Sequence, residues 1–329
     1  MKVLLDKSTI GQKGLGRFTE TLIICLKKLP LRLDFYSRKG PIYHPLAYFN
    51  IVNKYDWDVY ITPHFIVPLN ILLTGKPIYI TIHDVIPFTK FNLRFLLLFF
   101  FLRIILKFKN IKVFTPSNTS KEKIKKIFQI DKRKIFVINN QAKNIGDLYK
   151  NNFKDNIPKD HDLHILYIGN LKEHKNVQLL IKACNFVNAN KNRKIRLSIV
   201  AGFDTQSSVR YKLPLNSDFI NVYGDLSDKE IRQLIENCDY LIQPSFDEGF
   251  GIPVMEALIN NKKVICSDID IFHELYEDYV IFVNHYDPVI LAEILINNYG
   301  STNTKNINLI TEKYSLENIK NQLSNALGL

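Results

Sequence analysis

Short apolar runs alternate with longer amphipathic stretches along the whole chain, and this alternation limits the fold more than any other feature. In the first half, Lys2–Asp6, Asp58–Thr62, Ile78–Ile82, Lys112–Thr115 and Ile135–Ile138 read as strands. Leu15–Leu29, Phe91–Phe108 and Asn118–Phe128 read as helices, the last with Ser117 and Asn118 available as caps. The polar stretch Asn139–Asp162, broken by Pro158, reads as a linker. Beyond it the pattern restarts, with strands at His164–Ile168, Arg196–Ala201, Ile220–Tyr223, Tyr240–Gln243 and Val264–Cys266. Helices are expected from Asn176, Asp228 and Pro253. Alternating strands and helices imply parallel sheets covered on both faces. Two such series predict an α/β chain of two Rossmann-like domains facing across a cleft, 1–155 and 156–305. A C-terminal helix within 306–329 is expected to pack back on the first domain. A length of 329 residues and a 46% hydrophobic share suit two cores.

Charge divides the same way. Met1–Asp162 holds 28 Lys and Arg against 12 Asp and Glu, whereas the remainder holds 16 against 20. A basic first half attracts phosphates in nucleic acid, anionic lipid or small ligands, and a solvated surface is the plain alternative. Lys121–Lys126 is its dense basic stretch and lacks an aromatic reading motif, so no nucleic-acid partner is expected. Cys25, Cys184, Cys238 and Cys266 show no paired spacing, which argues for a reducing compartment and against a zinc site. The apolar start is too short for a signal peptide, and Phe95–Leu102 is too short to span a bilayer. A cytoplasmic location is therefore expected.

Three segments that follow strands carry the chemistry. Gly11–Arg17, with Gly14 and Gly16, opens a helix and reads as an anion-facing turn or simply a tight turn. Gly169–Asn176 precedes a helix, and there Lys172 and Lys175 can meet a diphosphate as point charges. Pro244–Leu258 is the most informative. Glu248 and Glu256 flank a Gly249-Phe250-Gly251 turn, with Pro253 suited to a first helical turn. Carboxylates there accept from sugar hydroxyls, while the intervening N–H groups suit an anion.

This third segment resembles the signature of glycosyltransferase family 4, retaining enzymes of the GT-B architecture, in which two carboxylates are separated by seven residues. Four further segments resemble that family in order: Gly14-Leu15-Gly16-Arg17-Phe18, Thr81-Ile82-His83-Asp84, Tyr167–Asn176 and Val222–Asp228. The resemblance runs from about Met1 to Glu274 and implies a hexosyltransferase that uses a nucleotide-sugar. It implies that Glu248, beside Ser245 and the N–H groups of Gly249, Phe250 and Gly251, contacts donor-sugar hydroxyls. By the same resemblance Glu256 accepts from ribose, Lys175 steadies the diphosphate leaving group, and His83 sits against the sugar. Gly14 and Gly16 would let the first domain close over the donor, and Leu226 lies in the segment that resembles the base-binding turn. Many family members carry Arg where this chain has Asn170, so either Lys172 substitutes for the missing charge or the donor phosphate is held less tightly.

No metal cofactor is expected. The triplets Asp56-Trp57-Asp58 and Asp268-Ile269-Asp270 read as incidental, and His44, His64 and His83 are too scattered for a metal site. An epimerase-like nucleotide-sugar protein, a silent homologue and a basic nucleic-acid-binding protein are the alternative readings. Phe91–Arg103 is apolar nearly all round, with cations at Arg94, Arg103 and Lys107, and is either core or membrane-facing. The acceptor expected is a lipid-linked saccharide of surface-glycan assembly, reached on the inner face of the plasma membrane through an anionic bilayer contact. The phosphate-loop form is similar to that of mannosyl-type members, which makes GDP-mannose the first donor expectation.

Overall fold

The computed structural model describes residues 1–37, 49, 51–52, 56–88, 93–142, 162–190, 194–201, 218–224, 226–297 and 307–329. His44, Phe91, Asn92, Asp225, most of the expected linker and the expected 155/156 boundary lie outside the described residues. The chain forms two compact units, Met1–Gln141 with Glu312–Leu329, and Ala142–Thr311.

The first unit carries β1 (Lys2–Asp6), β2 (Arg32–Tyr36), β3 (Val59–Ile61), β4 (Ile78–Thr81), β5 (Ile111–Thr115) and β6 (Ile135–Val137). Their order is β2-β1-β3-β4-β5-β6, and every pairing is parallel. Its helices include α1 (Lys13–Lys27), α2 (Leu69–Leu72), α3 (Leu93–Ile105) and α4 (Asn118–Phe128). The sheet is covered twice, as a parallel sheet requires. Val3 and Leu5 face Phe18, Leu22 and Leu26 on one side, while Leu4 faces a second cluster with Tyr60, Ile105 and Ile124. Ser117 caps α4 by accepting from Ser120 N at 3.1 Å.

The second unit carries β7 (Leu163–Ile168), β8 (Ile195–Val200), β9 (Ile220–Tyr223), β10 (Tyr240–Gln243), β11 (Lys263–Ser267) and β12 (Ile281–Val283). Their order is β12-β11-β10-β7-β8-β9, again all parallel. Helices α5 (Val177–Ala189), α6 (Asp228–Asn237), α7 (Ile252–Ile259), α8 (Asp270–Tyr276) and α9 (Pro288–Asn297) belong to it. After α10 (Ile307–Lys313), α11 (Leu316–Leu327) packs against α1 in the first unit. Gln322 there exchanges two hydrogen bonds with Asn139, at 2.9 and 2.6 Å.

Both sheets contain a point where the strand order reverses. In the first unit β1 lies between β2 and β3, and in the second β7 lies between β8 and β10. Loops leaving neighbouring strands at such a point diverge, and ligands of open α/β sheets bind in the crevice outside the carboxyl ends of those strands.

Candidate active site

At the reversal in the second unit, the loops after β7 and β10 meet through their side chains. Lys175 ends a short 3-10 turn, Glu173–Lys175, and Asn176 follows in the left-handed conformation (φ 50°) before α5 begins. Lys175 Nζ lies 2.6 Å from Glu248 Oε1, and only 14% and 8% of the two side chains reach solvent. Gln243 Nε2 (2.9 Å) and Ser245 Oγ (2.8 Å) donate to the same oxygen. Three donors therefore converge on Oε1 and none of them on Oε2. Burial opposes ionisation of Glu248, but the Lys175 charge and these donors outweigh it and hold the carboxyl below the usual range. The result is an oriented carboxylate anchored through one oxygen.

The backbone around this pair tolerates little change. Phe246 N donates to His174 O at 2.8 Å, which ties the two loops together. Burial, followed by the neighbouring Lys175 charge, depresses His174 to about 4. A Cβ on Gly169 would lie 2.6 Å from the Tyr167 hydroxyl, which donates to Asn170 O at 2.7 Å. Gly251 caps α7 at φ 78°, and a Cβ there would lie 2.6 Å from Phe272 Cε1. Tyr276 Oη donates to Phe250 O at 3.2 Å, and Phe250 itself is buried. Gly249 is half-buried in the same loop. Glu256 lies in α7 and is 4% exposed, so it is not a helix-surface charge.

Other expected donor residues take different positions. Asn170 is exposed and spends its side-chain oxygen on Lys172 N (3.1 Å), closing a local turn. The Lys172 side chain is also exposed. Leu226 is half-buried just before Ser227, which forms a capping box with Glu230 at the start of α6. His83, Gly14 and Gly16 belong to the first unit. Both glycines lie inside α1, which starts at Lys13: Gly16 falls within the helix expected from Leu15, and Gly14 is helical ahead of that expected start. Gly14 is exposed, and Gly16 is buried where a Cβ would approach Thr9 O to 3.0 Å. Gly16 therefore lets the helix press against the turn after β1.

His83 follows β4. Its Nε2 lies 3.0 Å from Pro63 O, and the Phe18 ring meets the imidazole at 4.9 Å and 86°. Burial depresses it to about 4, with the Pro63 bond opposing the shift. Sequence reasoning did not single out Gln243. Its signal is a polar residue closing the otherwise apolar β10, buried completely.

The Asp-x-Asp triplets are occupied with other work. Asp56 pairs with Lys2 Nζ at 2.7 Å, Asp58 accepts from Lys2 N at 2.8 Å, and Asp268 pairs with His273 at 2.6 Å. Asp270 opens α8. Among the described residues no three His, Cys, Asp or Glu cluster as metal ligands, and the four cysteines are free and buried.

α3 resolves the choice left open for Phe91–Arg103 into two faces. Leu102, Ile105 and Leu106 are buried, and Leu98, Phe99 and Phe101 pack on the same core. Leu97 (66%), Phe100 (52%) and Ile104 (59%) are exposed, with Phe108 (49%) continuing the stripe just past the helix end. Among the described residues no helix is long and apolar enough to cross a membrane.

Residues 149–298 match the family described as "Glycosyl transferases group 1". The "O-antigen chain mannosyltransferase RfbU" of Salmonella typhimurium is 29% identical over 284 residues, covering 81% of this chain and 72% of that protein. A Campylobacter jejuni protein is 27% identical over 173 residues, covering 50% of this chain and 44% of its own length. Its name is "N,N'-diacetylbacillosaminyl-diphospho-undecaprenol alpha-1,3-N-acetylgalactosaminyltransferase". The chain thus spans less than half of that relative. Sucrose-phosphate synthase from Thermosynechococcus elongatus superposes with a TM-score of 0.73 at 16% identity, over 99% of this chain and 98% of that one. That likeness shows the GT-B fold.

Proposed function

We propose that this chain, a glycosyltransferase with a group 1 domain, moves a hexosyl unit from a nucleotide-sugar to a lipid-linked or polysaccharide acceptor, with retention and without a metal. The observation that carries this reading is the buried Lys175–Glu248 pair at the strand-order reversal. An ammonium has three donors, so one bond to Glu248 leaves two N–H groups to meet a diphosphate. Charge that develops on the leaving diphosphate is stabilised best by a preorganised cation withdrawn from water. Glu248 Oε2 takes a donor-sugar hydroxyl, and Glu256 takes the ribose. The mannosyltransferase relative supports GDP-mannose as the first donor to try, and the N-acetylgalactosaminyl relative puts that sugar on the same panel.

The acceptor side rests on α3. Residues 93–134 hold twelve Lys and Arg against two Asp and Glu. Both acids are paired, Glu122 with Lys125 and Asp131 with Arg133. An apolar stripe in so cationic a setting suits the headgroup boundary of an anionic bilayer, where lipid-linked saccharides are found.

The decisive assay measures nucleoside diphosphate released from a panel of nucleotide-sugars, with and without EDTA, beside Glu248→Ala. EDTA-insensitive release from one donor, lost in the variant, supports the reading. Release that needs added metal, or that survives the substitution, overturns it.

A further inference from the structure

The buried polar cluster at the other strand-order reversal, in the first unit, is not used by the reading above. Asp6 ends β1, and His64 lies in the turn after β3; both are fully buried. Asp6 Oδ2 lies 3.2 Å from His64 Nε2 and accepts from Tyr60 Oη at 3.3 Å. Its Oδ1 accepts from Ser8 N at 2.8 Å and from the Ser8 hydroxyl. Burial works against the carboxylate, yet the His64 and Ser8 bonds outweigh it and hold Asp6 below its ordinary range. Ile66 N donates to His64 Nδ1 at 3.2 Å. A nitrogen that accepts from a backbone N–H carries no proton, so His64 bears its hydrogen on Nε2, which faces the Asp6 carboxylate, and the Thr62 hydroxyl also lies 3.2 Å from each ring nitrogen.

This ring fastens the turn that follows β3, and the turn in turn holds the end of β4. Three successive carbonyls accept from it. Thr62 O takes Thr81 Oγ1 at 2.8 Å, Pro63 O takes His83 Nε2 at 3.0 Å, and His64 O takes Thr81 N at 3.1 Å. A carbonyl only accepts, so Nε2 of His83 is the protonated nitrogen and Nδ1 keeps its lone pair. The ring of Phe18 against His83 limits its rotation.

We propose that the Asp6–His64 pair is a positioning device that, through the carbonyls of residues 62–64, fixes the tautomer and orientation of His83 so that Nδ1 faces substrate as an acceptor. This rests on the reading that His83 meets the sugar. Asp6 and His64 are fully buried, so they act on the reaction through His83. Their effect is on whether His83 accepts from a hydroxyl or offers a proton to it.

The test uses the full-length chain with 15N-labelled histidine, comparing wild type, His64→Asn, Thr81→Val and His83→Ala. Ring 15N shifts report the tautomer of His83, steady-state kinetics give kcat and donor KM, and thermal melts report folding. In wild type His83 is expected as the neutral Nε2–H form near neutral pH. His64→Asn should mix the tautomers and lower kcat about tenfold or more with donor KM little changed, the split of a group acting at the transition state. A folded His64→Asn protein that keeps the wild-type His83 shifts and kcat overturns the proposal. If that variant does not fold, Thr81→Val decides, because it removes one bond to the turn and leaves the pair intact. It should shift the His83 resonances and lower kcat about threefold or more, and unchanged shifts and kcat overturn the proposal. Full activity in His83→Ala would sink the site reading of His83 on its own, while the ring shifts still test the positioning.

Discussion

Lys175 Nζ reaches Glu248 Oε1 at 2.6 Å across 73 residues of sequence, and the same carboxylate oxygen collects Gln243 and Ser245. The pair joins the loops of two neighbouring strands at the place where the sheet reverses its order. Removing one partner of a buried pair leaves an uncompensated charge, which costs about 3–5 kcal/mol. Lys175→Ala should therefore lower the melting temperature and cut donor-dependent nucleotide release about 100-fold or more, the scale of losing a preorganised charge contact. Glu248→Gln keeps the shape but leaves the Lys175 charge without its counter-charge, so it should also melt below wild type while losing most turnover. Calorimetry and the release assay check both.

His83 and His174 make stability depend on pH in one direction. Both are pushed down to about 4 in the folded chain. The unfolded chain binds these protons near the ordinary value of about 6.5, before the folded chain does. Their contribution is thus complete above about pH 6.5 and is lost as pH falls towards 4. Glu248, also depressed, loses its contribution lower still, below about pH 4.5. Thermal melts should fall as pH drops from about 6.5 towards 4, with a shallower fall in His174→Asn.

Two left-handed glycines separate strain from crowding. Gly75 has φ 70° and open space around a built Cβ, whereas Gly251 has φ 78° and Phe272 Cε1 at 2.6 Å. Gly75→Ala should cost about 1–2 kcal/mol, the left-handed penalty alone. Gly251→Ala adds overpacking of about 1–3 kcal/mol to that and should also weaken donor binding, since Gly251 starts the helix that carries Glu256. Denaturant unfolding and donor titration measure the two effects.

The exposed face of α3 predicts a separation of membrane binding from folding. Phe100→Glu with Ile104→Glu should abolish flotation with anionic vesicles, while each exposed change shifts stability by about 0.5 kcal/mol or less. Leu102→Ala, on the buried face, should cost about 2–5 kcal/mol and leave flotation of the folded protein intact. Flotation of wild type should weaken with added salt. A wild-type protein that stays with the soluble fraction at low salt overturns the membrane contact.

Much of the architecture was legible because its causes are local. β1, β9, β10 and α4 stand where apolar runs and the Ser117 cap put them. β2 escaped notice because Arg32–Tyr36 is an edge strand with no fully buried residue, so no apolar run marks it. β12 is marked by the apolar run Val280–Val283 but has only three residues, too few to stand out as a strand. The sequence pattern starts the first helix at Leu15 and leaves Gly14 in the turn before it, because glycine signals a turn. α1 nevertheless begins at Lys13, since Gly16 lets it seat against Thr9.

The sequence by itself determined the α/β class, the two series of elements, the concentration of positive charge in the first half, and the residue types Lys175, Glu248, Glu256 and His83. Periodicity, caps and charge are properties of neighbouring residues and can be read along a chain. Only the tertiary structure decided that Lys175 lies on one oxygen of Glu248, that Gln243 joins them, and that α3 shows solvent one face. It alone paired Asp6 with His64 beneath the turn that holds His83. These are contacts between loops of different strands, set by strand order and burial, and no local pattern encodes which loops a sheet reversal brings side by side.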